Sequence, residues 1–394
     1  MGDVVGRELV TGCDWLQYDY RPALLPAGLA RSLDMWRYRD LLPLAAGPIR
    51  YPLPVGGSPL LSVPGLRQRL DVPQLWIKDE THGPSASNKD RATALVIEDG
   101  LRRGVDTITT ASTGNAAVAT AFGAAAAQLR AVIFVSIDCQ PDKLALMTQA
   151  GARVFQVREG YAAAVDLSRA AADRFGWLDR NTGTNPLTME AKKTVAFEVW
   201  EQLGRRIPDV VIAPVGDGPT LAALDKGFAE LVRCGVAERQ PRLVGVQAER
   251  CQPLVCAWTG VEPRADQLDP AGTIADGIAV PKAAIGDLVL TAVRRGGGAM
   301  VAVSDDALLA AAATLASDAG VGAEPAAAAS LAGLALALDD GLVDRSETVV
   351  LLNTGREVKP SPASGSAGRV SIVNARLDEV RRALDSDQPR MPGS

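Results

Sequence analysis

The chain has 394 residues, 47% of them hydrophobic, 22% charged and 4% aromatic, with a formal net charge of −5. That length allows two or three domains and a sizeable core, and the composition excludes a small disulfide scaffold, a fibre and a disordered chain. The acidic balance offers no basic field for a nucleic-acid backbone, and no run of about 18 apolar residues is free of charges or breakers, so neither nucleic acid nor membrane is an expected partner.

Cys13, Cys139, Cys234, Cys251 and Cys256 are scattered without C-x-x-C spacing, and His82 is the single histidine. No metal site is expected, a Ser-His-Asp triad is open only with His82 as its base, and reduced thiols point to the cytoplasm. Residues 1–12 are charged and lack the apolar core of a secretory leader.

In chain order, residues 1–50 are irregular, with aromatic anchors Trp15, Tyr18, Tyr20, Trp36 and Tyr38, and read as an extension packed on the body. Apolar strand-like runs at 107–112, 131–136 and 153–157 then alternate with alanine-rich helical stretches, a βαβα pattern that predicts parallel sheet with crossover helices. A second set follows: a helix over 187–203, a strand at 209–215, a helix over 221–234, a strand at 242–248, helices over 305–319 and 326–338, and a strand at 348–354. Gly296–Gly298 forms no G-x-G-x-x-G fingerprint, and no G-x-x-x-x-G-K-[ST] loop is present. From Lys359 the run KPSPASGSAG reads as a linker, after which Val373, Leu377, Val380 and Leu384 predict a short amphipathic helix.

Four strand-to-helix turns carry chemistry. In LWIKDETHGPSASNKDRATALVI (75–97), Ser87 and Asp90 stand at capping-box spacing and place Lys89 in the first helical turn. The positive helix end there disfavours a permanent cation and favours a neutral amine, or an imine to an anionic cofactor, although a solvated helix start accounts for the same residues. In TITTASTGNAAVA (107–119), Ser112, Thr113, Gly114 and Asn115 form a nest suited to a carboxylate, and equally an ordinary set of caps. In VVIAPVGDGPTLAALDKGF (210–228), Gly216 and Gly218 let backbone N–H groups approach a phosphate, with Asp217 an odd companion; a tight turn with Pro219 opening the helix is the plainer account. Asn353, Thr354 and Gly355 end the last buried strand, at the edge where parallel sheets bind ligands.

In their order, GGSPL (56–60), WIKDE (76–80), SNKDR (87–91), STGNAA (112–117), NTGTNPLTMEAKKTVAFE (181–198), VGDGPTLAAL (215–224), GVQAE (245–249), AEPAAAASLAGL (323–334) and LLNTG (351–355) resemble threonine synthase and its relatives over about residues 15–360. These are pyridoxal-phosphate enzymes of the tryptophan-synthase-β fold, fold type II. The resemblance implies two open α/β domains with mainly parallel sheets and the cofactor in the interdomain cleft. A larger cofactor-binding domain would take 51–91 and 188–358, a smaller inserted domain 92–187, and 359–394 would be linker and helix. Lys89 would hold the cofactor as a Schiff base and act as the base for the α-proton. Gly216, Asp217, Gly218, Pro219 and Thr220 would form the phosphate loop, Asn115 would meet the phenolic oxygen, and Thr354 the pyridine nitrogen. Ser112, Thr113 and Asn115 would receive the substrate carboxylate, and a homodimer is the family habit.

The departures bear on substrate. Asn88 stands where the family has an aromatic residue, Arg356 begins the run that replaces a histidine and glycine, Ser58 replaces threonine, and Ala92 stands where glycine is common. Asn88 could reach a leaving group or nucleophile and Arg356 an extra anionic group; alternatively Asn88 caps the helix and Arg356 pairs with a surface carboxylate. The expected reaction is conversion of O-phosphohomoserine and water to threonine and phosphate. The alternatives are elimination or replacement on a phosphoserine- or phosphothreonine-like amino acid, in the manner of cysteate synthases or ammonia-lyases, and a catalytically silent amino-acid binder.

Overall fold

The computed structural model describes residues 7–10, 17–20, 33–183, 185–361 and 367–387. Cys13 and Trp15 lie outside the described residues, as do the side chains of Tyr18 and Tyr20 and residues 362–366 of the expected linker.

Along the chain come strands β1 (Arg7–Val10), β2 (Gln17–Tyr20) and β3 (Leu60–Ser62), helix α1 (Pro64–Leu70), β4 (Leu75–Asp79) and α2 (Lys89–Arg103). Next are β5 (Thr107–Ala111), α3 (Asn115–Ala126), β6 (Arg130–Ser136), α4 (Pro141–Gln149), β7 (Arg153–Val157), α5 (Tyr161–Phe175) and β8 (Leu178–Asp179). Then follow α6 (Leu187–Lys192), α7 (Thr194–Gln202), β9 (Val210–Pro214), α8 (Pro219–Arg233), β10 (Arg242–Ala248), α9 (Pro253–Thr259), α10 (Gly286–Arg295) and β11 (Ala299–Val303). Last are α11 (Asp305–Ala319), α12 (Pro325–Asp339), β12 (Val349–Asn353), β13 (Arg369–Val373) and α13 (Leu377–Asp387).

The chain divides into two compact units, the first comprising residues 1–47, 54–92 and 186–357, the second 48–53, 93–185 and 358–394. In the first, the sheet order is β11-β10-β9-β12-β4-β3, parallel except for the edge strand β3. Alternation decides its two cores. Val211 and Ala213 of β9 and Val350 and Leu352 of β12 face one layer with α7, α8 and α10, while Val210, Ile212, Val349 and Leu351 face the other with α11 and α12. Alanines let α12 lie close to the sheet: a side chain at Gly333 would come within 2.3 Å of Val246. On the same unit the Tyr38 ring meets Phe197 edge-on, and its hydroxyl donates to Glu201 at 2.7 Å.

The second unit holds an all-parallel sheet, β13-β7-β6-β5-β8, its core built on Phe134, Phe155 and Leu167. In both sheets helices follow the carboxyl ends of the strands, which sets the chemistry there.

Several elements differ from the sequence expectation. The helix over 187–203 is two helices, α6 and α7, meeting at Lys193, whose buried ammonium is held by Glu190 at 2.7 Å and Glu230 at 2.9 Å. The pair α10 and β11 was not anticipated, because Gly296–Gly298 is the turn that joins them and a side chain at Gly298 would strike the Leu243 carbonyl. Val373 belongs to a strand and not to the terminal helix: β13 pairs in parallel with β7, a partner too remote in sequence to be read from a five-residue run. No helix among the described residues is long and apolar enough to cross a membrane.

Candidate functional site

β9, β12 and β4 are neighbours in the first sheet, so the turns leaving their carboxyl ends lie side by side. They are the turn 215–218 into α8, the segment 354–356, and the loop 80–88 into α2. Lys89 opens α2, as expected. The capping box does not close. Ser87 Oγ accepts from the Lys89 N–H at 3.4 Å, but the Asp90 carboxylate accepts from the Ser85 N–H at 2.9 Å and not from Ser87. Ala86, in the left-handed region at φ 56°, turns the chain so that 86–88 runs antiparallel to 354–356 through the Asn88 N–H and the Ala86 carbonyl, while the Asp90 N–H donates to the Ser87 carbonyl at 3.2 Å.

Asn88 joins the three turns. Its backbone N–H donates to the Thr354 carbonyl at 2.8 Å, its Oδ1 accepts from Lys89 Nζ at 3.0 Å, and its Nδ2 donates to Thr220 Oγ1 at 3.4 Å. It is buried while Lys89 is half-buried, and its side chain serves the lysine and α8 and caps nothing. Gly218 caps α8 at φ 99°, a conformation that favours glycine, with Pro219 as the first helical residue. Asp217 does not face the turn: its carboxylate accepts from the Ala284 N–H at 2.7 Å and ties down the 279–285 loop. That accounts for a charged residue in this turn. The Thr354 hydroxyl makes no hydrogen bond among the described residues.

Arg356 is exposed, and its guanidinium has neither a hydrogen bond nor an ion pair among the described residues; only its backbone N–H is engaged, by the Ala86 carbonyl at 3.1 Å. The surface ion pair considered from sequence does not form. His82 is 58% exposed, its Nδ1 3.3 Å from Asp79.

Behind Lys89 lies a network that sequence reasoning missed. Arg91 is fully buried and donates to Glu80, Glu198 and Thr194, while Lys78 reaches Glu198 at 2.6 Å and the Ser58 carbonyl at 2.5 Å. The Ser58 hydroxyl donates to Glu80. Burial would raise Glu198, but the Arg91 guanidinium and the Lys78 ammonium outweigh it and hold the carboxyl down at about 2. Ser58 thus serves this network.

The second unit carries the turn after β5. Ser112 Oγ accepts from the Gly114 N–H at 3.2 Å, Gly114 precedes α3, and a side chain built at Gly114 would meet nothing within 4 Å. Ser112, Thr113 and Asn115 are half-buried around that open space. Asn115 Oδ1 accepts from Lys143 Nζ at 3.0 Å, a lysine of the first turn of α4 that nothing in the sequence singled out. Ala92 is fully buried on α2.

Residues 51–355 match the family described as "Pyridoxal-phosphate dependent enzyme". The threonine synthase of Methanosarcina acetivorans is 32% identical over 353 residues, 89% of this chain and 86% of that protein. That of Mycobacterium tuberculosis is 34% identical over 344 residues, 87% and 92%. Among solved structures, a fungal L-serine ammonia-lyase from Rhizomucor miehei superposes with a TM-score of 0.65 at 22% identity, covering 76% of this chain and 93% of that one. The chain belongs to the threonine synthase family within the pyridoxal-phosphate-dependent enzymes of fold type II. It is a pyridoxal-phosphate-dependent lyase.

Proposed function

We propose that Lys89 carries pyridoxal phosphate covalently and that the enzyme converts O-phosphohomoserine and water to threonine and phosphate. The observation that carries this reading is Asn88, one buried amide bonded to both the lysine amine and Thr220 at the amino end of α8. An amine, a helix terminus opened by Gly218, and the unbonded Thr354 hydroxyl suit a phosphorylated pyridine aldehyde. Once bound, the cofactor supplies an electron sink for the carbanion left when the α-proton departs.

The chain's own residues do the rest. The N–H groups opening α8, around Gly216, Gly218 and Thr220, hold the phosphate, while Asp217 contributes backbone only because its carboxylate belongs to Ala284. The neutral Thr354 hydroxyl takes the ring nitrogen, where an acid would protonate it, and this favours elimination and replacement over transamination. Asn115 takes the phenolic oxygen, and Ser112 and Thr113 with the start of α3 take the substrate carboxylate. The Lys89 amine would also serve as the base that moves the substrate's α-proton.

A second reading, action on another anionic amino acid by elimination or replacement, is supported by the exposed, unpaired Arg356 guanidinium. The thiols of Cys139, Cys251 and Cys256, which enter no disulfide among the described residues, support the cytoplasm as compartment, and size measurement in solution would test a homodimer. The deciding test offers purified enzyme O-phosphohomoserine, phosphoserine, phosphothreonine and threonine, and follows phosphate and 2-oxoacid release. Threonine and phosphate from the first substrate alone support the synthase; 2-oxoacid from another overturns it in favour of the second reading.

A further inference from the structure

Asn88 is 2% exposed, and its side chain makes two hydrogen bonds among the described residues, both inside the first unit: Oδ1 accepts from Lys89 Nζ at 3.0 Å and Nδ2 donates to Thr220 Oγ1 at 3.4 Å. An ammonium has donors only, so the amide turns its oxygen to Lys89 and its nitrogen to Thr220. That nitrogen is itself donor-only, which makes Thr220 Oγ1 the acceptor and leaves the hydroxyl proton for another group. At 3.4 Å the bond is long, and it supplies direction more than energy. Thr220 is second in α8, after Pro219, which has no N–H to offer the anion that a helix start attracts. Hydroxyls deeper in a helix donate back to a carbonyl of the preceding turn, as Thr120 does to Ala116 and Thr148 to Leu144. The Thr220 hydroxyl donates to no group among the described residues and keeps its proton for an occupant of the turn.

We infer that Asn88 is a positioning residue: by accepting from Lys89 and donating to Thr220, it makes the Thr220 hydroxyl a hydrogen-bond donor to the cofactor's phosphate. The inference rests on the reading that puts the phosphate at the opening of α8. The hydroxyl then stands in for the N–H that Pro219 lacks, and its bond to an ionised phosphate is of the strong, charge-assisted kind. Asn88 acts on the anion through Thr220.

The experiment uses full-length apoenzyme and inorganic phosphate, whose inhibition constant against rebinding of pyridoxal phosphate reports the anion site without turnover. Thr220→Val should weaken phosphate by about tenfold, the loss of one charge-assisted hydrogen bond, and Thr220→Ser should stay within about threefold of the wild type. Asn88→Asp offers Thr220 an acceptor, draws the hydroxyl proton away from the anion and adds a charge that repels it, so phosphate should weaken by more than about tenfold. Repulsion alone survives once the hydroxyl is gone: in a Thr220→Val background the same substitution should cost only about threefold. Asn88→Leu adds no charge, and it should weaken phosphate by about threefold in the wild type and not at all in the Thr220→Val background. Equal factors in the two backgrounds, for either substitution, overturn the inference, because a merely structural role of Asn88 does not depend on the hydroxyl. Wild-type phosphate affinity in Thr220→Val overturns it as well. The underlying reading has its own control in the competition itself. If phosphate competes with pyridoxal phosphate while the cycle is additive, the phosphate turn stands and this inference fails; if the two do not compete, both fail.

Discussion

Arg91 and Glu198 face each other through two parallel contacts, 2.6 Å from Nη1 to Oε1 and 2.7 Å from Nη2 to Oε2, with both side chains buried. Arg91 stands two residues beyond Lys89 on the same helix, so this fork pins the start of α2 to α7. Removing one partner strands a buried charge, and Glu198→Gln is expected to cost about 3–5 kcal/mol of unfolding free energy by chemical denaturation. The acid limb carries a second signature. With the folded carboxyl near 2 and the ordinary value 4.5, the Glu198 contribution is complete above about pH 5 and fades as pH falls from 4.5 through 2. The stability gap between wild type and Glu198→Gln should narrow over that window, and a constant gap would count against the ion pair.

Lys89→Ala should leave the fold intact, because the side chain is half-buried and alanine is a better helix former than lysine. The variant should lose the long-wavelength absorbance of the cofactor. Reduction with borohydride and peptide mapping should place the pyridoxyl group on Lys89 in the wild type; a label on Lys78, Lys192 or Lys193 would falsify the site.

Gly216 and Gly218 should separate on substitution by alanine. At Gly218 the backbone is left-handed at φ 99° and a Cβ would stand 2.6 Å from Val289, so Gly218→Ala should lose about 1–3 kcal/mol even without cofactor. Gly216 carries no such φ and its nearest neighbour is the Ile278 Cα at 3.0 Å, so Gly216→Ala should cost less. Thermal melts of the two apo variants give the order directly.

Asp217→Ala should release the 279–285 loop without altering the backbone N–H groups of the turn into α8. Lys282 is exposed in that loop, so limited trypsin digestion of the variant should cut after Lys282 faster than in the wild type. Equal cleavage rates would mean that the Ala284 contact does not hold the loop.

Steady-state turnover of O-phosphohomoserine by the wild type and by Arg356→His separates the two substrate readings. Under the synthase reading the exposed guanidinium is a bystander and kcat/KM should change by less than about threefold, whereas an anion contact would cost about tenfold or more.

The strand-to-helix turns were legible because buried parallel strands are continuous apolar runs closed by Gly, Ser and Thr, as at 107–119 and 210–228. Their assembly was not. Asn88 meets Thr220 and Thr354 across more than a hundred residues of chain, and only the strand order β9-β12-β4 makes them neighbours. Lys78, Glu80, Arg91 and Glu198 gave no sign of a buried network in sequence, since burial of a charge depends on partners that arrive from other elements. The capping-box spacing of Ser87 and Asp90 places the start of α2, yet the Asp90 carboxylate turns to the Ser85 N–H and the box does not close. Lys143 left no signal because an ordinary helix-start lysine gains meaning only from the helix it reaches.

The pairing of β13 with β7 imposes an order on synthesis. β7 leaves the ribosome about 200 residues before its neighbour β13 exists, which at 5–20 residues per second is roughly 10–40 s. For that interval the nascent second unit carries an open parallel edge, the kind of template on which other chains add strands. Anything that stalls translation within the last third of the message lengthens that exposure, so yield of folded protein should depend on the rate at which residues 300–373 are made as well as on the stability of the finished molecule.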